Sequence, residues 1–337
     1  MLSRIVTSAI ISSRILKIRD ELTDRTVRPT LNIFITKPFG FGFSTSFLQL
    51  EEKGYVNYIN DFTAPGLVGT VKGGKIYMGS LAESGYKLTV VDEVMKLDNK
   101  AKKIILELTE HGRATRSIQG FVEKRIERNV VGGKYVVDDS KITLEVHTSY
   151  VFGTASDQIY QDPDLKMLLS RCFCLNLTMD VEDAILLKKK GRELIVNEEI
   201  IPNEPIDLVI LPSDVNEYLI DKMTESIIVG NSEGGYFTRA HDDMIRLSAV
   251  HCVARGDTTI NEKDVKYALE FFKLHQLGYM GVLLPENAIT IYNYCKGLTI
   301  KELAEKTGLA ERTIRKHLRK LMEANLVAKV GDKYFRV

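Results

Sequence analysis

The chain has 337 residues, 44% hydrophobic and 27% charged, with 46 Lys and Arg against 45 Asp and Glu for a formal net charge of +1. That length accommodates two or three domains with full cores, and the balanced charge excludes a polybasic nucleic-acid coat, so any contact with nucleic acid must come from a local patch. The four cysteines, Cys172, Cys174, Cys252 and Cys295, have no metal-ligand spacing, which fits a reducing, cytoplasmic compartment.

The start, Met1 to Ile18, carries Arg4, Arg14 and several serines among its apolar positions. No run in it approaches the ~20 apolar residues of a membrane span, and no signal-peptide layout is present. It predicts an amphipathic helix packed on the core and no membrane partner. Short apolar runs follow at Leu31–Ile35, Leu88–Val91, Thr148–Gly153 and Cys172–Leu177. Helical patterns such as Lys100–Glu110, with Ile104, Ile105 and Leu108 on one face, separate some of them. That alternation predicts an α/β fold with a parallel sheet covered by helices. A hairpin is predicted over 121–137, turning at Gly132-Gly133, where glycine supplies the positive φ. The proline-rich passage Ile201-Pro202-Asn203-Glu204-Pro205 reads as a boundary. Beyond it come helices from Pro212-Ser213-Asp214 to about Thr224, from Phe237 or Thr238 to Arg255, and from an Asn261 cap onward. The last segment, from Pro285, predicts helices at about 286–295, 300–307 and 311–324, broken at Gly297 and Gly308, then a pair of strands turning at Gly331-Asp332.

The first chemical motif is the glycine-rich turn after Leu31–Ile35. Residues 37–46 read Lys-Pro-Phe-Gly-Phe-Gly-Phe-Ser-Thr-Ser, a strand running into a phosphate-binding loop. A P-loop has glycine where Lys37 stands and lysine where Phe43 stands. That lysine neutralises the β- and γ-phosphates. Gly40 and Gly42 still permit the turn, and Ser44 or Thr45 is a candidate Mg²⁺ ligand. Lys37 is either a solvent-facing side chain beside a decayed site or a replacement that reaches phosphate from the other side. The second motif, Leu88-Thr89-Val90-Val91-Asp92-Glu93, is a strand ending in two acids, the Walker B pattern. Asp92 is its candidate metal ligand and Glu93 its candidate for orienting or deprotonating water.

These segments, with Arg28-Pro29-Thr30-Leu31-Asn32-Ile33 before the loop and Val94-Met95-Lys96-Leu97 after the acids, resemble the AAA+ module of the minichromosome-maintenance (MCM) replicative helicases. Ala64–Val71 is similar to that family's segment before its helix-2 insert. Leu168-Leu169-Ser170-Arg171-Cys172-Phe173 is similar to its arginine-finger motif, and Phe237-Thr238-Arg239-Ala240 with Met244–Ser248 to its sensor-2 helix. The resemblance runs in order from about residue 10 to 275 and has no counterpart of the family's N-terminal DNA-encircling domain. It implies an AAA+ core over 1–200 and a helical lid with the sensor-2 helix over 201–280. It implies roles in ATP chemistry for Glu93, Arg171 and Arg239, and for Ser156, which stands where the family has a sensor-1 asparagine. Ile118 occupies the place of the family's basic hairpin residue, with Arg116, Lys124, Arg125 and Arg128 nearby.

The third motif, Leu298–Leu318, reads as helix, glycine turn, helix. Leu303, Ala304, Leu309, Ile314, Leu318 and Leu321 are spaced to pack together. With the following hairpin it predicts a winged helix over 285–337, which resembles the bacterial and archaeal regulator type. Arg312, Thr313, Arg315, Lys316, Arg319 and Lys320 are its candidate DNA contacts. The expectations are therefore an MCM-like AAA+ protein of DNA replication that binds DNA and hydrolyses ATP poorly or not at all. It would work as a homo-oligomer or beside an active MCM-type helicase. Two alternatives stay open: an active ATP-dependent helicase or translocase with an unconventional P-loop, and a winged-helix transcription regulator that oligomerises through the AAA+ remnant.

Overall fold

The fold is that of a computed structural model, which describes residues 2–37, 42–154, 162–177, 194–226, 234–283, 286–323 and 327–336. Its centre is a five-stranded sheet in the order Phe173–Asn176, Ile33–Thr36, Ser149–Thr154, Leu88–Val91, Val56–Tyr58, every neighbouring pair parallel. By order along the chain these are the fifth, first, fourth, third and second strands. Leu88, Thr89, Val90 and Val91 are all buried. A strand covered on both faces reads as a continuous apolar run, which is the pattern the sequence carries. Asn32 ties three strands at their start: its carbonyl accepts from Phe173 N at 2.7 Å and its side chain from Tyr150 N at 3.1 Å.

The helix Asn99–His111 covers the sheet. Asp98 caps its start by accepting from Ala101 N at 2.7 Å. Arg28 covers its end, donating to the carbonyls of Leu108 and Thr109 at 2.8 and 3.0 Å. The predicted helices of residues 213–283 are Ser213–Glu225, Gly234–Ala254 and Glu262–Leu283. Glu262–Leu283 packs on the edge strand Phe173–Asn176, and Gly234–Ala254 packs on the N-terminal helix Leu2–Ser12. The Leu2–Ser12 helix buries Ile5, Val6, Ala9, Ile10 and Ile11, as its apolar pattern predicts.

Several features depart from the sequence reading. A second sheet, Val209–Leu211, Ile18–Asp20, Arg25–Val27, joins the chain's start to the segment after the proline-rich passage. Its strands of three residues are too short to leave a periodic signature. The predicted hairpin runs over Arg113–Val130 and Gly133–Val146, well beyond 121–137, and doubles back on itself. His147 N donates to Gly132 O at 2.9 Å, although these residues flank opposite ends of one strand. The fold-back falls where the register shifts between Ser117 and Ile126 and where Asp139 takes φ 53°. Bulges bend paired strands in this way. A further hairpin, Gly69–Lys72 with Lys75–Met78, packs against it.

A buried ion cluster holds the helices of residues 234–283. Asp264 has a fully buried side chain. It accepts from Arg255 at 2.8 Å on each oxygen and from Asn261 N at 2.9 Å, and it meets His251 Nδ1 at 2.6 Å. Burial alone would raise its pKa, but the bonds from Arg255, Asn261 and His251 outweigh this and hold it below its ordinary 3.8. A carboxyl with a depressed folded pKa stabilises the fold fully above its unfolded pKa, and the contribution fades as pH falls toward the folded value. Asp264→Ala is expected to lower stability at pH 7 by about 2 kcal/mol, since it removes the acceptor of hydrogen bonds from charged and backbone donors. Urea denaturation should show the deficit narrowing below pH 3.8.

Candidate functional site

The strand Ile33–Thr36 ends at Lys37, and the helix Phe43–Glu52 begins beyond the loop. Gly42 caps that helix at φ 73°, a left-handed conformation for which glycine is suited. The strand Leu88–Val91 ends at Asp92. Since the strands are parallel, their C-terminal ends lie along one edge, and Lys37 and Asp92 converge there across Ser149–Thr154.

Lys37 Nζ lies 3.0 Å from Asp92 Oδ1 and 3.4 Å from Glu93 Oε1. The same ammonium sits over the Phe43 ring, 4.8 Å from its centroid. Ser44 Oγ donates to Asp92 Oδ2, and Tyr58 OH donates to that oxygen at 3.0 Å. The Lys37 side chain is 8% exposed and that of Asp92 7%. Lys37 is thus not a solvent-facing lysine; two carboxylates hold it inside. Burial pushes Asp92 upward, but the hydrogen bond from Ser44, the Lys37 ammonium and the Tyr58 hydroxyl leave its pKa below the usual carboxylate value. Burial, with the Asp92 carboxylate, pushes the Tyr58 phenol up to about 12. Phe43 is buried and packs on Phe47 at 4.6 Å between centroids. Thr45 is exposed. Glu93 is half-buried and takes φ 60°, ψ 57°, an uncommon conformation for a residue with a Cβ.

Two residues of this cluster carry no motif. Gly153 lies beneath it: a Cβ there would stand 3.0 Å from Asp92 Oδ1, 3.1 Å from Phe43 Cε1 and 3.2 Å from Lys37 Cε. A glycine inside a buried strand is the signal for such a close approach. Tyr58, ending the edge strand, has no sequence signal. Gly40 and Ser156 lie outside the described residues.

Mg²⁺ with a nucleotide does not fit this arrangement. Asp92 Oδ2 accepts from Ser44 and Tyr58, the Lys37 ammonium stands 3.0 Å from Oδ1, which accepts no hydrogen bond, and the ring of Phe43 lies against that ammonium. Among the described residues no group of three His, Cys, Asp or Glu is disposed to hold a metal.

Arg171 and Arg239 belong elsewhere. Arg171 precedes the strand Phe173–Asn176, where Phe173 pairs with Ile33 and Asn176 with Thr36. It therefore lies at the opposite end of the sheet from Lys37, separated by more than the ~13 Å rise of four strand residues. It donates to Glu110 Oε2 at 2.7 Å and Met167 O at 2.8 Å. Arg239 donates to Ser170 O at 2.8 Å, so the two arginines meet at one turn. In the folded-back hairpin Ile118 is buried, Arg116 donates to Gly69 O, and Lys124, Arg125 and Arg128 are exposed.

The C-terminal region is built from local signals. Thr299 and Glu302 form a capping box at the start of the helix Ile300–Thr307, and Gly308 ends that helix at φ 69°. The next helix, Glu311–Glu323, buries Ile314, His317, Leu318 and Leu321. Arg312, Arg315, Lys316, Arg319 and Lys320 are exposed and Thr313 half-buried. Val327–Val330 pairs with Lys333–Arg336, and Lys296–Thr299 adds a third strand. Burial, reinforced by Lys316 and Lys320, pushes the His317 pKa down.

Residues 294–328 match the winged helix-turn-helix DNA-binding family. The chain carries a DNA-binding domain at this end. No curated protein matches the chain. Among the described residues no helix is long and apolar enough to cross a membrane.

The basic face of Glu311–Glu323 is the candidate DNA interface. Arg315 pairs with Glu311 at 2.8 Å, with both side chains well exposed. Such a pair is weak and exchanges readily for phosphate. Arg315→Ala with Arg319→Ala is expected to weaken DNA binding and to reduce the slope of log K against log salt by about 0.9 for each phosphate no longer neutralised. Fluorescence anisotropy across a salt series measures both. An unchanged slope would remove this face from the interface.

Proposed function

We propose that the chain is a DNA-binding protein of MCM-like AAA+ type that does not hydrolyse ATP efficiently. In this reading residues 1–200 are the AAA+ core, 201–280 the helical lid and 285–337 the winged helix. DNA binding is supported by the matched domain and its basic helix. The AAA+ part is supported by the strand order, by the loop joining Ile33–Thr36 to a helix, and by Asp92 meeting Ser44 from the end of a neighbouring strand. The observation that carries impaired hydrolysis is the ammonium of Lys37 held by Asp92 and Glu93, with Phe43 in place of the phosphate-binding lysine. Arg171 and Arg239, on the far side of the sheet, are available only to the site of a second molecule. That supports assembly as a homo-oligomer or alongside an active MCM-type helicase. A second reading, a winged-helix transcription regulator, is supported by the match of residues 294–328 to the winged helix-turn-helix DNA-binding family. A footprint on one short operator would select it, and strand- or shape-dependent binding would select the first.

Phe43→Lys alone sets a second ammonium beside Lys37 and is not expected to restore the site. Lys37→Gly together with Phe43→Lys frees the carboxylates and returns a cation to the loop. A charge-assisted phosphate contact contributes roughly 1.5–3 kcal/mol. The double variant should therefore bind ATP about ten- to a hundredfold more tightly than the unaltered chain, measured by calorimetry. Brisk turnover by the unaltered protein that disappears in Asp92→Ala would refute the proposal.

A further inference from the structure

The cluster around Lys37 has the polarity of a cation site that already contains its cation. We infer that the Lys37 ammonium is a tethered substitute for a divalent metal, and that the Ser44–Asp92–Glu93 cluster takes no metal while Lys37 is in place. The inference deepens the reading of this edge as a nucleotide-type site and rests on that reading only for the role of the three metal-facing residues.

Four observations carry it. The ammonium stands 3.0 Å from Asp92 and 3.4 Å from Glu93, so one cation pairs with both acids of the strand end. Asp92 Oδ2 accepts from both Ser44 and Tyr58, and the buried Oδ1, which accepts no hydrogen bond, faces the ammonium at 3.0 Å, so the ammonium stands where a metal would approach that oxygen. The remaining wall is the Phe43 ring, with Lys37 Nζ 4.8 Å from its centroid. An aromatic face attracts an organic cation but supplies no ligand to Mg²⁺, which demands six oxygens in an octahedron. Finally, Gly153 leaves room for this convergence: a Cβ would stand 3.2 Å from Lys37 Cε and 3.0 Å from Asp92 Oδ1. The position of Lys37 at the end of a strand, with its backbone N–H bonded to Thr154 O at 3.0 Å, fixes the tether.

The test uses the full chain and Mn²⁺ followed by electron paramagnetic resonance, without nucleotide. The unaltered protein and Asp92→Asn are expected to give the same Mn²⁺ isotherm. Lys37→Met, which keeps the stem and removes the charge, is expected to bind a single Mn²⁺ at least about tenfold more tightly than the unaltered chain, because an opposing charge at contact distance has gone. Adding Asp92→Asn to Lys37→Met should abolish that increase. The inference is overturned if the unaltered protein binds Mn²⁺ in a manner abolished by Asp92→Asn, or if Lys37→Met folds by circular dichroism yet takes up no additional Mn²⁺. Should Lys37→Met fail to fold, the comparison of the unaltered chain with Asp92→Asn decides alone. ATP enters no arm, so failure of the Lys37→Gly, Phe43→Lys double variant to gain ATP binding would count against the nucleotide-type reading and leave the metal result standing.

Discussion

The buried contact between the Lys37 ammonium and the Asp92 carboxylate is the constraint on which the candidate site depends. Its origin lies in the strand order. Along the chain, Lys37 ends the first strand of the five-stranded sheet and Asp92 its third, with Ser149–Thr154 between them. Parallel strands bring their C-terminal ends to one edge, so two residues that close non-adjacent strands meet over whatever the middle strand presents. Here it presents Gly153, and the absent Cβ lets the lysine stem, the carboxylate and the Phe43 ring converge. A buried lysine is tolerable only when paired, and two adjacent acids at a strand end are tolerable in the interior only beside a cation. Each side of the contact therefore answers the cost of the other. Such a pair fixes geometry more than it adds stability, since desolvation opposes the attraction.

The same sheet divides the charged chemistry into two groups. Strand register sets Arg171 at the end opposite Lys37, and Arg239 joins it through Ser170 O. No rearrangement of side chains carries either arginine across a strand's length to Asp92. Within one molecule Arg171 is occupied by Glu110 and by a backbone carbonyl. Any action of these arginines on a bound group requires another molecule to present that group to them, and the Glu110 contact must then be exchanged.

How much of this could be read from the sequence follows from how local each signal is. The strands 33–36, 88–91, 149–154 and 173–176 are legible because burial on both faces leaves an apolar run. The helices of 213–283 and 300–323 are legible from spacing, and the capping box and Gly308 set one boundary closely. The three-residue strands 18–20, 25–27 and 209–211 leave no pattern, and pairing between the chain's start and residue 209 is a long-range event. The hairpin 113–146 extends past its legible part because its fold-back at Asp139 interrupts strand periodicity. At the site, the loop and the two acids are visible, whereas the direction of Lys37 is not. Sequence gives its place in the loop, but whether its stem turns outward or inward depends on Gly153, more than a hundred residues away. Tyr58 is invisible for the same reason.

The two functional regions differ in what holds them. The edge at Lys37 and Asp92 needs the whole sheet, since strands from widely separated parts of the chain build it. The DNA-binding face needs only residues from 286 onward: one side of Glu311–Glu323 is packed by Ile314, Leu318 and Leu321 against the helices Glu286–Tyr294 and Ile300–Thr307, which leaves its basic residues on the other. A change that closes the loop site with lysine and phenylalanine leaves the spacing of that basic face untouched. The chemistry at one end of the chain can therefore alter while the DNA-binding surface persists, the combination of features present here.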